Sequence, residues 1–157
     1  MEIPSLQHEI QQSVPFSSPR EEALLAMFRT CDVLHRRIGR VIEPYGITAQ
    51  QYNVLRILRG AGPSGLATLD ITDRMIENAP GITRMIDRLE AKLLVSRERG
   101  RQDRRQVVCR ITPDGLHLLA KMDAPVRAAD SNILGDLGGS EIEDLIRILG
   151  RIRSAGV

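Results

Sequence analysis

The chain has 157 residues, of which 42% are hydrophobic and 27% charged, and this composition excludes an intrinsically disordered protein. No apolar run approaches the ~18 residues of a membrane span, and two cysteines are too few for a secreted disulfide scaffold, so we expect one cytoplasmic domain. Aromatic residues make up only 3%, which argues against a protein that stacks single-stranded nucleic acid on aromatic rings.

The positive charge is concentrated in one segment. The formal net charge is only +2, with 20 Arg and 2 Lys. Residues 74–110 nevertheless carry ten basic and five acidic side chains, whereas the segments on either side carry a slight acidic excess. A basic segment on a near-neutral chain indicates a docking surface for a polyanion.

The first predicted elements are an arm and a long helix. Residues 1–17 are polar, contain two prolines and predict an N-terminal arm that orders only against something else. Ser18-Pro19-Arg20-Glu21 is a strong helix start, and Pro44 and Gly46 end the apolar periodicity that follows it. A helix of about 26 residues would be roughly 39 Å long and would need a partner along its length.

Three shorter helices are predicted next. Thr48 opens one with a capping box, Thr68 caps a short second one, and residues 78–80 start a third that runs to about Leu94. The periodicity of this third helix turns Ile82, Ile86 and Leu89 inward. Its opposite face carries Thr83, Arg84, Asp87 and Arg88.

The periodicity then changes to that of strands. Residues 95–99 and 106–111 predict a β-hairpin whose loop carries Arg101, Asp103, Arg104 and Arg105. Thr112 begins a long helix that Pro125 should kink, and Ser140-Glu141-Ile142-Glu143 predicts the start of a last amphipathic helix.

This order of elements predicts a mainly α fold with a β-hairpin wing, that is, a winged helix-turn-helix. In that plan the helix before the hairpin enters the major groove of DNA, and the hairpin reaches a minor groove. Arg84 and Arg88 lie four residues apart on one face, and a guanidinium fork matches guanine O6 and N7. Thr83 is short enough to contact a phosphate or a thymine methyl group.

Particular runs of this chain resemble a known family. The run ITRMIDRLEAK at residues 82–92, followed by Asp103-Arg104-Arg105 and ITPDG at residues 111–115, is similar to the multiple-antibiotic-resistance regulator (MarR) family. The resemblance extends over about residues 18–153. It departs at Leu93, where the family usually has Gly; if a positive φ is needed there, Leu costs about 1 kcal/mol or more and the turn into the wing is expected to be remodelled.

The resemblance implies a homodimeric transcriptional regulator of double-stranded DNA, a ligand-responsive repressor on a pseudo-palindromic operator. Residues 18–45 and 114–157 would form the helical dimerisation region, and residues 46–113 the DNA-binding lobe. Asp103 would orient Arg105 in the wing. The effector implied is a small, phenolic-type molecule held between the dimerisation helices and the lobe, and no cofactor is expected.

Alternative interpretations remain for the same residues. The arginines of residues 84–110 could form a solvated surface, or pair locally with Asp87, Glu90 and Glu98. A winged-helix module that docks an acidic protein without binding DNA is the alternative function. An enzyme is not expected, because the chain has no phosphate loop, nucleophile elbow or metal motif.

The two cysteines are predicted to be buried and to have a structural role. Cys31 lies in an apolar stripe and Cys109 in a strand, and reactive thiols need exposure and a depressed pKa. Cys31 and His35 share a helix face, and His8 or His117 would have to complete a metal site. We expect no metal, because a site needs three or four converging ligands.

Overall fold

The computed structural model describes residues 5–99 and 106–155. Helices dominate this part of the chain, and a small antiparallel sheet lies among them, as the predicted fold class requires. The elements are α1 (Leu6–Glu9), α2 (Pro19–Ile42), α3 (Ala49–Ala61), β1 (Leu66–Ala67), α4 (Thr68–Arg74), α5 (Ile82–Ala91), β2 (Val95–Arg99), β3 (Val107–Ile111), α6 (Pro113–Leu134) and α7 (Gly139–Ser154). Two 3-10 turns, Glu43–Tyr45 and Gly62–Ser64, flank α3.

The chain divides into two compact units, residues 1–37 and residues 38–157. In the first unit, Ser5 caps the four-residue helix α1, whose Glu9 carboxylate lies 2.8 Å from Arg29 Nε of α2. The start of α2 is confirmed, since Ser18 Oγ accepts a hydrogen bond from the Glu21 amide. Two hydrogen bonds of 2.6 Å from Ser17 to the Glu21 carboxylate lower the pKa of that group.

The prediction that Cys31 is buried is wrong. Its side chain is exposed rather than buried. Leu24 and Phe28, which share the apolar stripe of α2, are also exposed, at 50% and 65%. The apolar stripe of α2 is therefore present, but in a single chain its Leu24 and Phe28 remain exposed to solvent.

The core of the second unit is built from α3, α4, α5, α6 and the sheet. The largest fully buried side chains are Ile42, Leu55, Leu58, Ile71, Ile86, Leu89, Leu119 and Met122. The capping box of Thr48 and Gln51 is confirmed at the start of α3. Arg59 of α3 binds both carboxylate oxygens of Asp123 of α6, at 2.9 and 3.0 Å, and this pair joins the two helices.

The predicted hairpin is confirmed as β2 and β3, but the sheet has a third strand. The order is β1-β3-β2, with Leu66 opposite Cys109 and Arg97 opposite Cys109 on the other side. Cys109 is fully buried, as predicted. Gly65 leads into β1 with φ +68°, and a Cβ at Gly65 would collide with the Cys109 carbonyl.

Three helix starts differ from the predictions. Thr68 is the first residue of α4 rather than its cap, because Ala67, the last residue of β1, is still extended and occupies the cap position. α5 starts at Ile82, since Gly81 has a left-handed conformation with φ +90° that ends the preceding turn. α7 begins at Gly139, where Glu141 accepts a 2.8 Å hydrogen bond from the Gly138 amide.

The two C-terminal helices differ in burial. α6 continues through Pro125, and Leu119, Met122 and Val126 on it are buried. α7 buries no residue, although apolar residues recur along it. Within residues 5–99 and 106–155, no helix combines the length and the apolar character that crossing a membrane would need.

Candidate nucleic-acid interface

Helix α5 has an exposed polar face opposite its buried apolar face. Ile86 and Leu89 are buried at 1% and 0% exposure and hold one side of the helix against the core. The helical repeat therefore turns Thr83, Arg84, Asp87 and Arg88 outward, and all four are exposed. The predicted division of this helix into two faces is confirmed.

The acidic residues of α5 are bound by an arginine of the neighbouring strand. Arg97 of β2 places Nη1 2.7 Å from Asp87 Oδ1 and Nε 2.8 Å from Glu90 Oε2, and its Nη2 contacts the same Glu90 oxygen. The hydrogen bonds from Arg97 hold the pKa of Glu90 below its usual value. The hydrogen bond to Glu90 likewise raises the pKa of Arg97.

Arg84 and Arg88 have no acidic partner among the described residues of the chain. The carboxylates expected to compete for them are Asp87, Glu90 and Glu98, and the first two are bound by Arg97. Glu98 is 2.7 Å from Arg110. Among the residues that the structure describes, neither Arg84 nor Arg88 makes an ion pair, so both guanidinium groups are open to an anionic partner.

Arg110 of the hairpin is not similarly open. Besides its pair with Glu98, its Nε donates a 2.9 Å hydrogen bond to the carbonyl of Pro63. Arg110 therefore ties β3 to β2 and to the turn before β1. The wing residues Arg101, Asp103, Arg104 and Arg105 lie outside the described residues.

The turn from α5 into β2 has the backbone conformation for which the family usually has Gly. Leu93 has φ +60° and its side chain is 69% exposed. The Leu93 amide donates to Glu90 O at 2.8 Å, and the Leu94 amide donates to Leu89 O at 3.0 Å, closing the end of the helix. The expected remodelling is wrong: the turn keeps its left-handed residue, and Leu occupies it.

Two arginines escaped the sequence analysis in different ways. The role of Arg97 does not follow from the sequence, because the partners of its guanidinium lie on α5, seven and ten residues earlier in the chain, and no local spacing reveals them. Arg74 was overlooked: it lies in the last turn of α4 and is exposed. In a helix-turn-helix, the helix before the recognition helix crosses the DNA backbone, which makes Arg74 a candidate phosphate contact.

The remaining candidates for chemistry are dispersed. Within the described ranges, no three His, Cys, Asp or Glu side chains converge as metal ligands would. Desolvation by burial raises the pKa of the Cys109 thiol, which keeps it in its unreactive form.

Comparison with known proteins places these features in one family. The MarR family model matches residues 47–107. A MarR transcription factor from Planctomyces limnophilus is 41% identical, with a TM-score of 0.67, and the match covers 87% of this chain and 98% of that one. The transcriptional activatory protein BadR of Rhodopseudomonas palustris is 26% identical over 80% of this chain and 73% of its own length.

A third relative shares the fold at lower identity. BpsR of Bordetella bronchiseptica, whose DNA binding is regulated by 6-hydroxynicotinic acid, is 23% identical with a TM-score of 0.75, over 85% of this chain and 99% of its own. The first two relatives are transcription regulators by name, and BpsR is a DNA-binding protein. With 41% identity to a MarR transcription factor along nearly that whole chain, and with a winged helix-turn-helix in the matched region, the protein belongs to the MarR family and is a transcriptional regulator.

Proposed function

We propose that this regulator binds double-stranded DNA sequence-specifically as a homodimer, and that it represses transcription from a pseudo-palindromic operator until a small effector releases it. The observation that carries the proposal is the outer face of α5. On this face Thr83, Arg84 and Arg88 are exposed. The neighbouring carboxylates, Asp87 and Glu90, form ion pairs with Arg97.

The chemistry of this face suits base recognition. Arg84 and Arg88 are one helical turn apart, and each can donate two parallel hydrogen bonds to guanine O6 and N7. Thr83 lies in the first turn of α5, where backbone N–H groups and the helix dipole favour a phosphate. Arg101, Arg104 and Arg105 would extend the contact into a minor groove, with Asp103 orienting Arg105, as the family's wing sequence implies.

Dimerisation is supported by apolar surface that a single chain leaves uncovered. On α7, Ile146, Ile148 and Ile152 are 64%, 46% and 46% exposed, and a helix with an apolar stripe is stable in water when that stripe is covered. On α2, Leu24 and Phe28 are exposed as well. We assign residues 18–45 and 114–157 to a dimer interface and residues 46–113 to DNA binding. A two-fold dimer would then read half-sites about 10 bp apart.

The effector part of the proposal draws on a relative. BpsR responds to 6-hydroxynicotinic acid, a hydroxylated aromatic acid of the phenolic type that the family resemblance implies. An effector of this class must bind the DNA-competent and DNA-incompetent states with different affinities, because equal affinity shifts no equilibrium.

The direct test is selection from random duplex DNA at about 150 mM salt, followed by sequencing of the bound fraction. An enriched inverted repeat with half-sites one helical turn apart is expected. If a dimer neutralises on the order of eight phosphates, the logarithm of the binding constant should fall with that of salt concentration with a slope near −7. No retention even at low salt would overturn DNA binding and favour docking to an acidic protein.

Three further measurements test the dimer, the direction of regulation and the effector. Sedimentation equilibrium should give a dimer at micromolar concentration, and a monomer throughout would contradict the interface. With the selected operator placed upstream of a reporter, the chain should lower expression, and a rise would identify an activator instead. Hydroxylated aromatic acids, 6-hydroxynicotinic acid first, should release the operator at concentrations that leave the folded dimer intact.

A further inference from the structure

Arg97 lies in the basic hairpin, but its guanidinium is directed to carboxylates. Nη1 contacts Asp87, while Nε and Nη2 both contact one oxygen of Glu90. All three nitrogens therefore have carboxylate partners within α5. Three of its five N–H groups are thus engaged by carboxylates of the protein itself rather than left for a phosphate.

The two carboxylates lie beside Arg84 and Arg88, where a negative charge would repel the phosphates of DNA. Asp87 is exposed on the same face as Arg84 and directly precedes Arg88. Glu90 follows on the half-buried flank of the helix, with 38% of its side chain exposed. Without a counter-charge, both would oppose the phosphates that Arg84 and Arg88 attract, and like charges facing each other across an interface weaken association strongly.

We infer that Arg97 is a positioning residue of the DNA-binding surface, which acts by neutralising Asp87 and Glu90 on the recognition helix rather than by contacting DNA. The inference rests on the proposed function, in which the outer face of α5 meets the major groove. It separates Arg97 from Arg84 and Arg88, which are open, and from the wing-loop arginines. It also explains why a helix with a DNA-facing role carries acidic residues beside its arginines.

The test is operator binding by two charge variants. Arg97→Gln leaves two uncompensated carboxylates, and we expect affinity to fall about tenfold or more at 100 mM salt. Arg97→Gln combined with Asp87→Asn and Glu90→Gln removes the cation and both anions, and affinity should return to within about threefold of the original chain. Arg59→Gln, which breaks the pair with Asp123 on other helices, is the matched control and should change affinity less than twofold.

The salt dependence separates neutralisation from direct contact. An arginine that binds a phosphate contributes about one to the slope of log affinity against log salt, so its loss would make the slope shallower by about one. The triple variant should keep the original slope. A triple variant that remains as weak as Arg97→Gln, or that has the shallower slope, would overturn the inference.

Two controls keep the result interpretable. If Arg97→Gln does not fold, the triple variant is compared with Asp87→Asn/Glu90→Gln alone: slopes equal within error support neutralisation, and a slope shallower by about one in the triple variant contradicts it. Arg84→Ala is measured in parallel. If Arg84→Ala weakens binding and Arg97→Gln does not, the inference fails alone. If neither does, α5 is not the DNA-binding surface and the proposed function fails with it.

Discussion

The Thr112 hydroxyl donates a 2.6 Å hydrogen bond to the carbonyl of Leu93, the residue that holds the left-handed turn between α5 and β2. The hydroxyl oxygen of Thr112 also accepts a 3.1 Å hydrogen bond from the Gly115 amide and so caps α6. The Thr112 amide adds a 3.1 Å bond to the Leu94 carbonyl. One threonine thus joins the end of the candidate recognition helix to the start of the helix that follows the wing.

Leu93→Gly should stabilise the fold. A residue with a Cβ at φ +60° carries a steric cost that Gly avoids, and the exposed Leu side chain contributes little burial in return. After the larger entropy loss of Gly on folding, we expect a gain of about 0.5–1 kcal/mol in the free energy of unfolding. Urea unfolding at fixed protein concentration measures it. Leu93→Ala, which keeps the Cβ, should give no comparable gain, and equal gains would remove φ as the cause.

Thr112→Val should destabilise the fold by about 1–2 kcal/mol, because this change of nearly equal volume removes both the cap of α6 and the bond to Leu93. Thr112→Ser retains the hydroxyl and should lose far less. Urea midpoints of the two variants provide the measurement. A valine variant as stable as the original chain would show that the hydroxyl contributes nothing to stability.

Arg84→Ala should reduce discrimination more than it reduces general affinity. The loss of a guanidinium that binds a base edge is expected to cost about 1–3 kcal/mol on the selected operator and much less on random DNA. Fluorescence anisotropy on both duplexes measures the difference. Arg56→Ala removes an exposed arginine of α3 that lies over the Tyr52 ring, and it should leave the ratio unchanged. Equal losses on both duplexes would contradict base recognition by Arg84.

The Arg59–Asp123 pair should show coupling between α3 and α6. Both side chains are about one-third exposed, so solvent screens the pair and we expect a coupling of only about 0.5–1 kcal/mol. A double-mutant cycle with Arg59→Gln and Asp123→Asn in urea unfolding gives this value directly. Additive effects would mean that the two contacts of 2.9 and 3.0 Å contribute nothing beyond the separate side chains.

Cys109 should make stability fall at alkaline pH. Burial raises the pKa of its thiol, so the folded state keeps the proton to a higher pH than the unfolded state does. Above the ordinary thiol pKa, the unfolded state therefore binds fewer protons, and the free energy of unfolding decreases as pH rises. The stability difference between the chain and its Cys109→Ala variant, measured from about pH 7 to pH 10, should shrink accordingly. A pH-independent difference would contradict this reason for the shift.

The same burial governs alkylation of the thiol. In a Cys31→Ser background, where Cys109 is the remaining cysteine, iodoacetamide should modify the native protein slowly and the urea-unfolded protein quickly. Rapid modification under native conditions would show that the sheet opens over Cys109 without global unfolding.

The elements that the sequence predicts well are those with strong local signals. The caps at Thr48 and Thr112 and the buried positions Ile86 and Leu89 follow from spacings of three or four residues, and the structure has all of them. The two-residue strand Leu66–Ala67 is too short for any periodicity, because its extended conformation comes from pairing with β3 more than forty residues later. The contacts of Arg97 could not be predicted from the sequence for a similar reason, because they depend on how β2 packs against α5.

The central position of β3 has a consequence for variation at the tip of the wing. A strand paired on one side can slip along its neighbour, and a slip of one residue would exchange its two faces. β3 is fixed from both sides, by Leu66 and Arg97 opposite Cys109, so the alignment of the hairpin does not depend on the length of its loop. Insertions or deletions between residues 100 and 105 should therefore leave the register of β2 and β3 unchanged.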